Sequence, residues 1–572
     1  MLKGLLKVTA AAAAGYALKS KIITPGAAVS RAANAVKVKT EAQTNYDNGV
    51  ALTPPMGWSS WNLFRNKINE ELILQTAKAM VDSGLAAAGY TYINLDDCWQ
   101  SSARDENGRM MGDMTNFPRG IKALVDDINA LGLKVGIYSS NGTHTCEDLP
   151  ASLGHEAVDA RTFADWGIEY FKYDFCHNHP ITTAAPNIEK ITLGEIGGSD
   201  FICYHACEAE LSGHARIATN APFRDGDYIT GLSGGNGAAT FTVKVEESKD
   251  YVLTVGLRKF GPFYKYCRVI VNDSDSYELE VAPSMGLTPD GRQQLIIALN
   301  EGENTIRFYN PITSRMDGAA AQYINMGKEL KKATKAVAEE TGKPEKPICY
   351  SICEWGFNRP WKWGREAGNL WRTTMDIKPF WASVVGIYEI NVKLAKYAGP
   401  GGWNDPDMLE VGNGDLTEEE NRSHFSLWCM MAAPLILGND LRSFVKADGT
   451  PDLDDPTLQI LTNRDLLAID QDPLGIQCRR HKTTIKVDTL VKPLSGGDLA
   501  ICLFNKFGEA EEEFVSIREL LETEYCGLPE AQLYEVTELW SGEQYDTPDD
   551  ISAMIPPHGV KVYRVKAKEI AE

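Results

Sequence analysis

The strongest constraint in this sequence is a rhythm in which a helical stretch leads to a short apolar strand, repeated along most of the chain. Helical Glu70–Ser83 leads to strand Tyr92–Leu95, helical Gly120–Leu131 to Lys134–Ser139, and helical Ala157–Trp166 to Tyr170–Phe175. After an interruption the rhythm resumes with helical Tyr323–Glu340 and strands Ile348–Ile352 and Leu370–Met375. A unit opening at Gly399–Asp405, helical Glu418–Ala432 and strand-like Pro434–Leu437 complete it. With the ordered start at Leu52–Trp61, this predicts eight units ending near Leu466. Alternating strands and helices imply a parallel sheet, and eight such units predict an α/β fold, the (β/α)8 TIM barrel.

Two stretches depart from the rhythm. Between about Asn178 and Gln322 the chain turns to short β-runs: Ala238–Val245, Asp250–Leu257, Cys267–Val271, Glu278–Val281, Gln294–Leu299 and Asn304–Tyr309. Gly-rich turns separate them, which predicts a β-sandwich inserted after strand four. Beyond Pro473, strand-like Thr484–Leu490, Leu499–Asn505, Glu512–Ser516 and Val560–Val565 predict a C-terminal antiparallel β-sandwich. The expected organisation is a disordered or signal-like segment over 1–50, a barrel over 51–178 and 322–472, the insert over 200–320 and the terminal sandwich over 473–572. The basic, then Ala-rich N-terminus reads equally as an export signal or a helical tail, so no compartment is assigned.

A net charge of −21 argues against nucleic acid and anionic membranes as partners, and no apolar run approaches the ~20 residues of a membrane span. The 12 cysteines include no metal-type C-x-x-C pair, and no metal site is assigned. Oligomeric state is not legible.

The chemistry-bearing residues fall where a barrel places its active site, after the C-terminal ends of strands. These are Asp96 and Asp97, Asp174, Glu354, Asp376 and the Trp403–Asp407 segment. Two carboxylates facing one pocket from different strands suit glycosidic bond cleavage, in which one attacks or stabilises the anomeric carbon and the other protonates the leaving oxygen. On strand Tyr170–Phe175, alternation sets Lys172 and Asp174 on one face and rings on the other. Lys172 is expected to hold Asp174 ionised, as a nucleophile requires. Asp376, between Met375 and Ile377, is expected to have a raised pKa, as an acid requires. Arg372, four residues earlier and expected on the same strand face, is placed to orient Asp376 or a hydroxyl. The Asp96–Asp97 pair suits adjacent sugar hydroxyls better than a cation, since no third ligand lies near. Trp61 and Trp355 read either as pocket walls or as core.

These residues occur in motifs that resemble glycoside hydrolase family 27, the retaining α-galactosidases. The motifs are Pro55-Met56-Gly57-Trp58, Leu95-Asp96-Asp97-Cys98-Trp99, Lys172-Tyr173-Asp174-Phe175-Cys176, Cys353-Glu354-Trp355-Gly356, Trp371-Arg372-Thr373-Thr374-Met375-Asp376 and the run from Ala398 to Leu409. The resemblance implies Asp174 as nucleophile, Asp376 as acid/base and the Asp96–Asp97 pair on the galactose 4- and 6-hydroxyls. It places Lys172 and Arg372 on other hydroxyls, Trp61 and Met408 along the pocket, and Cys353, Glu354 and Trp355 at the 2-position. It also implies a disulfide between Cys146 and Cys176, and no cofactor for catalysis. Two Asp residues favour galactose over a β-L-arabinopyranoside, and bulky Glu354 and Trp355 disfavour an N-acetylgalactosaminide. Those two activities, and a catalytically silent carbohydrate-binding protein, are the alternatives. The expected partner is an α-galactoside oligosaccharide or polysaccharide. The insert resembles carbohydrate-binding modules of families 6 and 35, which implies a structural calcium held by Glu208 and Glu210.

Overall fold

The computed structural model describes residues 45–178, 181–219, 226–258, 264–281 and 290–568. Most of the expected 1–50 segment therefore lies outside the described residues.

Eight parallel strands follow one another around a ring: β1 (Met56–Ser59), β2 (Tyr92–Asn94), β3 (Lys134–Ser140), β4 (Tyr170–Asp174), β5 (Cys349–Ile352), β6 (Leu370–Arg372), β7 (Trp403–Asp405) and β8 (Leu435–Leu437). β8 pairs back onto β1 with Leu435 opposite Met56. The seam between β7 and β8 is bridged by Leu409 opposite Leu437, and the Leu409 amide donates to Ile436 O at 2.8 Å.

The first residues of five strands, Tyr92, Tyr170, Cys349, Leu370 and Trp403, pack together with Ala432 at the lower end of the barrel. Val50 and Ala51 cover this layer, and Trp403 Nε1 donates to Ala51 O at 2.7 Å. An apolar plug at the strand starts leaves the strand ends as the polar end. Tyr170 thus shares the inward face of β4 with Lys172 and Asp174, so the strand does not sort all its rings from its charges. Phe171 and Tyr173 point outward instead, against Phe163 (ring centroids 5.1 Å apart) and Tyr323 (5.4 Å) of the surrounding helices.

Those helices form for local reasons. Asn69 caps α1 (Glu70–Asp82) by accepting from the Leu72 amide at 2.8 Å, and Leu72, Ile73, Thr76, Ala77 and Met80 make its buried stripe. Thr417 and Glu420 form a reciprocal capping box at the start of the helix Glu418–Met430.

The described residues of Pro180–Gly318 make a separate compact unit. One antiparallel sheet runs in the order Asp275–Val281, Lys265–Val271, Gly302–Tyr309, Gly237–Val245, Glu210–Gly213. The other runs Asp290–Leu299, Lys249–Arg258, Asn187–Glu195, Tyr228–Thr230, Arg216–Ala218, with Phe201–His205 beside Asn187–Glu195. Alternating side chains from both, among them Phe241, Val269 and Phe308 and, facing them, Ile191, Leu253 and Val255, fill the shared core. The first strand begins at Asn187, ahead of residue 200, because the turn-rich stretch before Ala238 also contributes short strands.

The C-terminal domain is antiparallel. Its six-stranded sheet runs Arg479–Thr483, Val487–Pro493, Leu499–Asn505, Val560–Lys568, Leu533–Glu538, Gln544–Thr547, and Glu511–Ser516 pairs separately with Asp550–Ile555. It docks on the barrel through buried Asp488, which accepts from Tyr388 Oη at 2.8 Å and from Lys506 Nζ at 2.9 Å.

Candidate active site

Asp174 ends β4 at the polar mouth of the barrel. Its Oδ1 accepts from the Phe175 amide at 2.8 Å and its Oδ2 from the Tyr138 hydroxyl at 3.0 Å. Burial pushes its pKa up; the Lys172 charge and the Phe175 amide oppose that without cancelling it. Lys172 thus favours the ionised form as expected, but burial outweighs it and the net shift is upward. Lys172 Nζ donates to Asp96 Oδ2 at 2.8 Å and lies 5.3 Å from the centre of the Tyr138 ring, so its direct ion-pair partner comes from the loop after β2.

Asp96 and Asp97 follow β2 and are both buried. Asp96 Oδ2 also accepts from Ser59 Oγ at 3.2 Å. Asp97 accepts from the amides of Cys98 (2.8 Å) and Glu147 (3.1 Å), yet burial pushes its pKa up to about 6. Cys146, next to Glu147, is disulfide-bonded to Cys176, two residues beyond Asp174. This bridge ties the loop after β3 to the end of β4, and Cys146 Sγ lies 3.8 Å from Asp174 Oδ2.

Arg372 is the last residue of β6, and Asp376 stands on the loop beyond it, so the two do not share a strand face. They still meet: Arg372 Nη2 lies 2.9 Å from Asp376 Oδ1 and 2.8 Å from Asp407 Oδ2. The expected upward shift of Asp376 is reversed. Partial burial raises its pKa, but the Arg372 guanidinium and its hydrogen bond hold it below the usual carboxylate value. The apolar neighbours do not enclose it, since Met375 faces solvent and the Ile377 amide donates to Asp407 Oδ2 at 2.8 Å.

Cys353 is buried, with Arg372 Nη1 3.6 Å from its Sγ. Glu354 is fully buried, and its two carboxylate oxygens accept from the Asn358 amide at 2.8 and 2.9 Å. These bonds hold the loop that follows β5, where the resemblance implies a sugar-facing role. Trp355 is half-buried, edge-on to Phe175 with centroids 6.2 Å apart. Trp61 is half-buried at the start of the one-turn helix Trp61–Phe64 directly after β1. Met408 lines a small cavity of about 30 Å³ inside the barrel, together with Asp96, Lys172, Arg372, Asp405 and Asp407.

No sequence motif points to Tyr138, and Asp405 and Asp407 are marked only as part of the Trp403–Asp407 segment, without individual roles. Tyr138 lies opposite Lys172 in register, so the inward alternation of β3 is the signal for it. Asp405 Oδ1 accepts from the Asp407 amide at 2.8 Å, and burial pushes Asp405 up to about 6. Among the described residues the one grouping of three metal-type ligands is Cys146, Asp174 and Cys176, two of which are the disulfide. Glu208, proposed for calcium, instead accepts from the His205 amide at 2.5 Å and closes a 3-10 turn; Glu210 begins the strand Glu210–Gly213.

Comparison with known proteins shows the family. The family described as alpha galactosidase A matches residues 53–208 and 305–472, and an alpha galactosidase C-terminal beta sandwich domain matches 484–565. The chain is 33% identical over 519 residues to an alpha-galactosidase of Cyamopsis tetragonoloba, covering 90% of this chain and 87% of that protein. It is 31% identical to alpha-galactosidase A of Cellvibrio japonicus, covering 94% of this chain and 97% of that protein. The crystal structure of alpha-galactosidase I from Mortierella vinacea superposes with a TM-score of 0.61 at 26% identity, covering 92% of this chain and all of that one.

Proposed function

This chain belongs to the alpha galactosidase A family, and from that premise we propose that it is a retaining, exo-acting α-galactosidase that removes terminal α-D-galactosyl residues. Its substrates on this reading are galacto-oligosaccharides, galactomannans or glycoconjugates.

Asp174 attacks the anomeric carbon as the bond to the leaving oxygen breaks, and Asp376 delivers its proton to that oxygen. The same Asp376 then takes a proton from water, which displaces Asp174 and restores the α-configuration. No cofactor enters either step. Asp96, Asp97, Lys172 and Arg372 hold hydroxyls, Cys353, Trp61, Trp355 and Met408 bound the pocket, and Glu354 fixes the loop that presents Trp355.

The observation that carries this reading is the asymmetry of the two carboxyls. Asp174 is 5% exposed and fixed by two hydrogen bonds, while Asp376 has a half-exposed side chain beside a guanidinium. A fixed group suits attack and a reachable one suits exchange with solvent. Proton NMR of the first product tests it: α-galactose must appear before mutarotation, and β-galactose would refute retention. Comparing melibiose, raffinose and galactomannan with aryl N-acetylgalactosaminide and arabinopyranoside tests the sugar.

The inserted unit reads best as a carbohydrate-binding module. Its two-sheet core supports this architecture, and the position of Glu208 gives calcium no support. Retention of the protein on insoluble galactomannan, lost on deleting the insert, checks the module.

A further inference from the structure

We propose that Phe357 and Met375 form a platform for the leaving-group sugar ring, a subsite that rests on Asp376 being the acid that serves that group. Phe357 is 59% exposed and Met375 53% exposed, on the loops that follow β5 and β6. Met375 precedes Asp376, and the two loops meet at the backbone. Gly356, next to Phe357, has φ +78° and packs so closely on the Thr373 carbonyl that a Cβ there would collide with it. Arg372 joins the same loops from below, with Cys353 Sγ at 3.6 Å and Asp376 Oδ1 at 2.9 Å.

The loop carrying Phe357 is held rigidly. Buried Glu354 grips the Asn358 amide, and Asn358 O accepts from Trp363 Nε1 at 3.1 Å. Trp355 sits in the left-handed region at φ +54°, a conformation that persists only where surrounding contacts fix it. Phe357 then packs edge-on to Trp355 with ring centroids 5.8 Å apart, and Trp355 in turn packs on Phe175 beside Asp174. A continuous aromatic line therefore runs from the nucleophile strand to an exposed ring.

A pyranose presents a face of C–H groups that carry slight positive charge, which the electron-rich face of an aromatic ring attracts. Its edge carries hydroxyls, for which Arg359 and Lys378, both exposed and two residues beyond Phe357 and Asp376 in sequence, are the candidate donors. A rigid ring loses little freedom on binding, so the contact transfers well into affinity. The occupant is the ring of a hexose or oligosaccharide joined through the oxygen that Asp376 protonates. An alkyl or lipid leaving group would use the apolar surface without the hydroxyl donors.

The test compares kcat/KM on melibiose and on α-galactosyl fluoride, whose leaving group has no ring, for the wild-type protein and Phe357→Ala. The ratio of melibiose to fluoride is expected to fall about tenfold, and Phe357→Trp to restore it. An unchanged ratio, or equal losses on both substrates, overturns the platform while leaving the galactosidase reading intact. Inactivity of the wild-type protein on both substrates overturns that reading and the platform with it.

Discussion

Arg372 Nη2 stands 2.9 Å from Asp376 Oδ1 and is shared with Asp407 Oδ2 at 2.8 Å. One guanidinium thus stabilises the carboxylate form of the group that must donate a proton, while burial disfavours the carboxylate form of Asp174. In the free protein each group is shifted against its task. Substrate binding relieves this if a sugar hydroxyl draws on Arg372 and loosens its hold on Asp376.

The pH profile should reveal that pairing. The alkaline limb of kcat/KM reports the acid in the free enzyme. In Asp407→Asn the competing negative charge is gone, Arg372 acts on Asp376 alone, and the Asp376 pKa falls further. The alkaline limb should move to lower pH, measured on an aryl α-galactoside. A limb that stays fixed or moves to higher pH would separate Asp376 from the acid role.

Asp174→Ala should lose at least about 10³-fold in kcat, the scale of removing a covalent nucleophile. Its melting temperature should be unchanged or higher, because a buried carboxyl with an upward-shifted pKa is removed. Azide, entering the vacated space and attacking from the same side, should restore turnover with β-galactosyl azide as product. Residual activity near wild type would sink the nucleophile assignment.

Lys172 and Asp96 are a mostly buried pair 2.8 Å apart. Lys172→Met should cost about 3–5 kcal/mol in urea unfolding by leaving Asp96 uncompensated. The double variant Lys172→Met with Asp96→Asn should recover most of that stability without recovering activity. Additive losses would mean that the two charges do not depend on each other.

Arg104 pairs with fully buried Asp159 through two contacts of 2.6 and 2.8 Å and also donates to Ala151 O at 2.7 Å. It thereby joins the loop after Asp97 to the loop carrying Cys146. Arg104→Ala should destabilise by about 3–5 kcal/mol and raise KM more than it lowers kcat. A variant stable to within about 0.5 kcal/mol would show the pair to be dispensable.

The helical and strand periods of 3.6 and 2 residues are local properties, and by themselves they determined the eight barrel strands, the break after β4 and the carboxylates beyond strand ends. The terminal sandwich was legible only in part, because Leu533–Glu538 and Gln544–Thr547 are half-exposed strands with weak apolar runs. What only the tertiary structure decided is which charge answers which. Lys172 meets Asp96 across 76 residues of sequence in preference to its strand neighbour Asp174, and Arg372 reaches Asp376 from beneath the loop. A pKa follows burial and charges a few ångströms away in space, and those distances exist only once the barrel has closed.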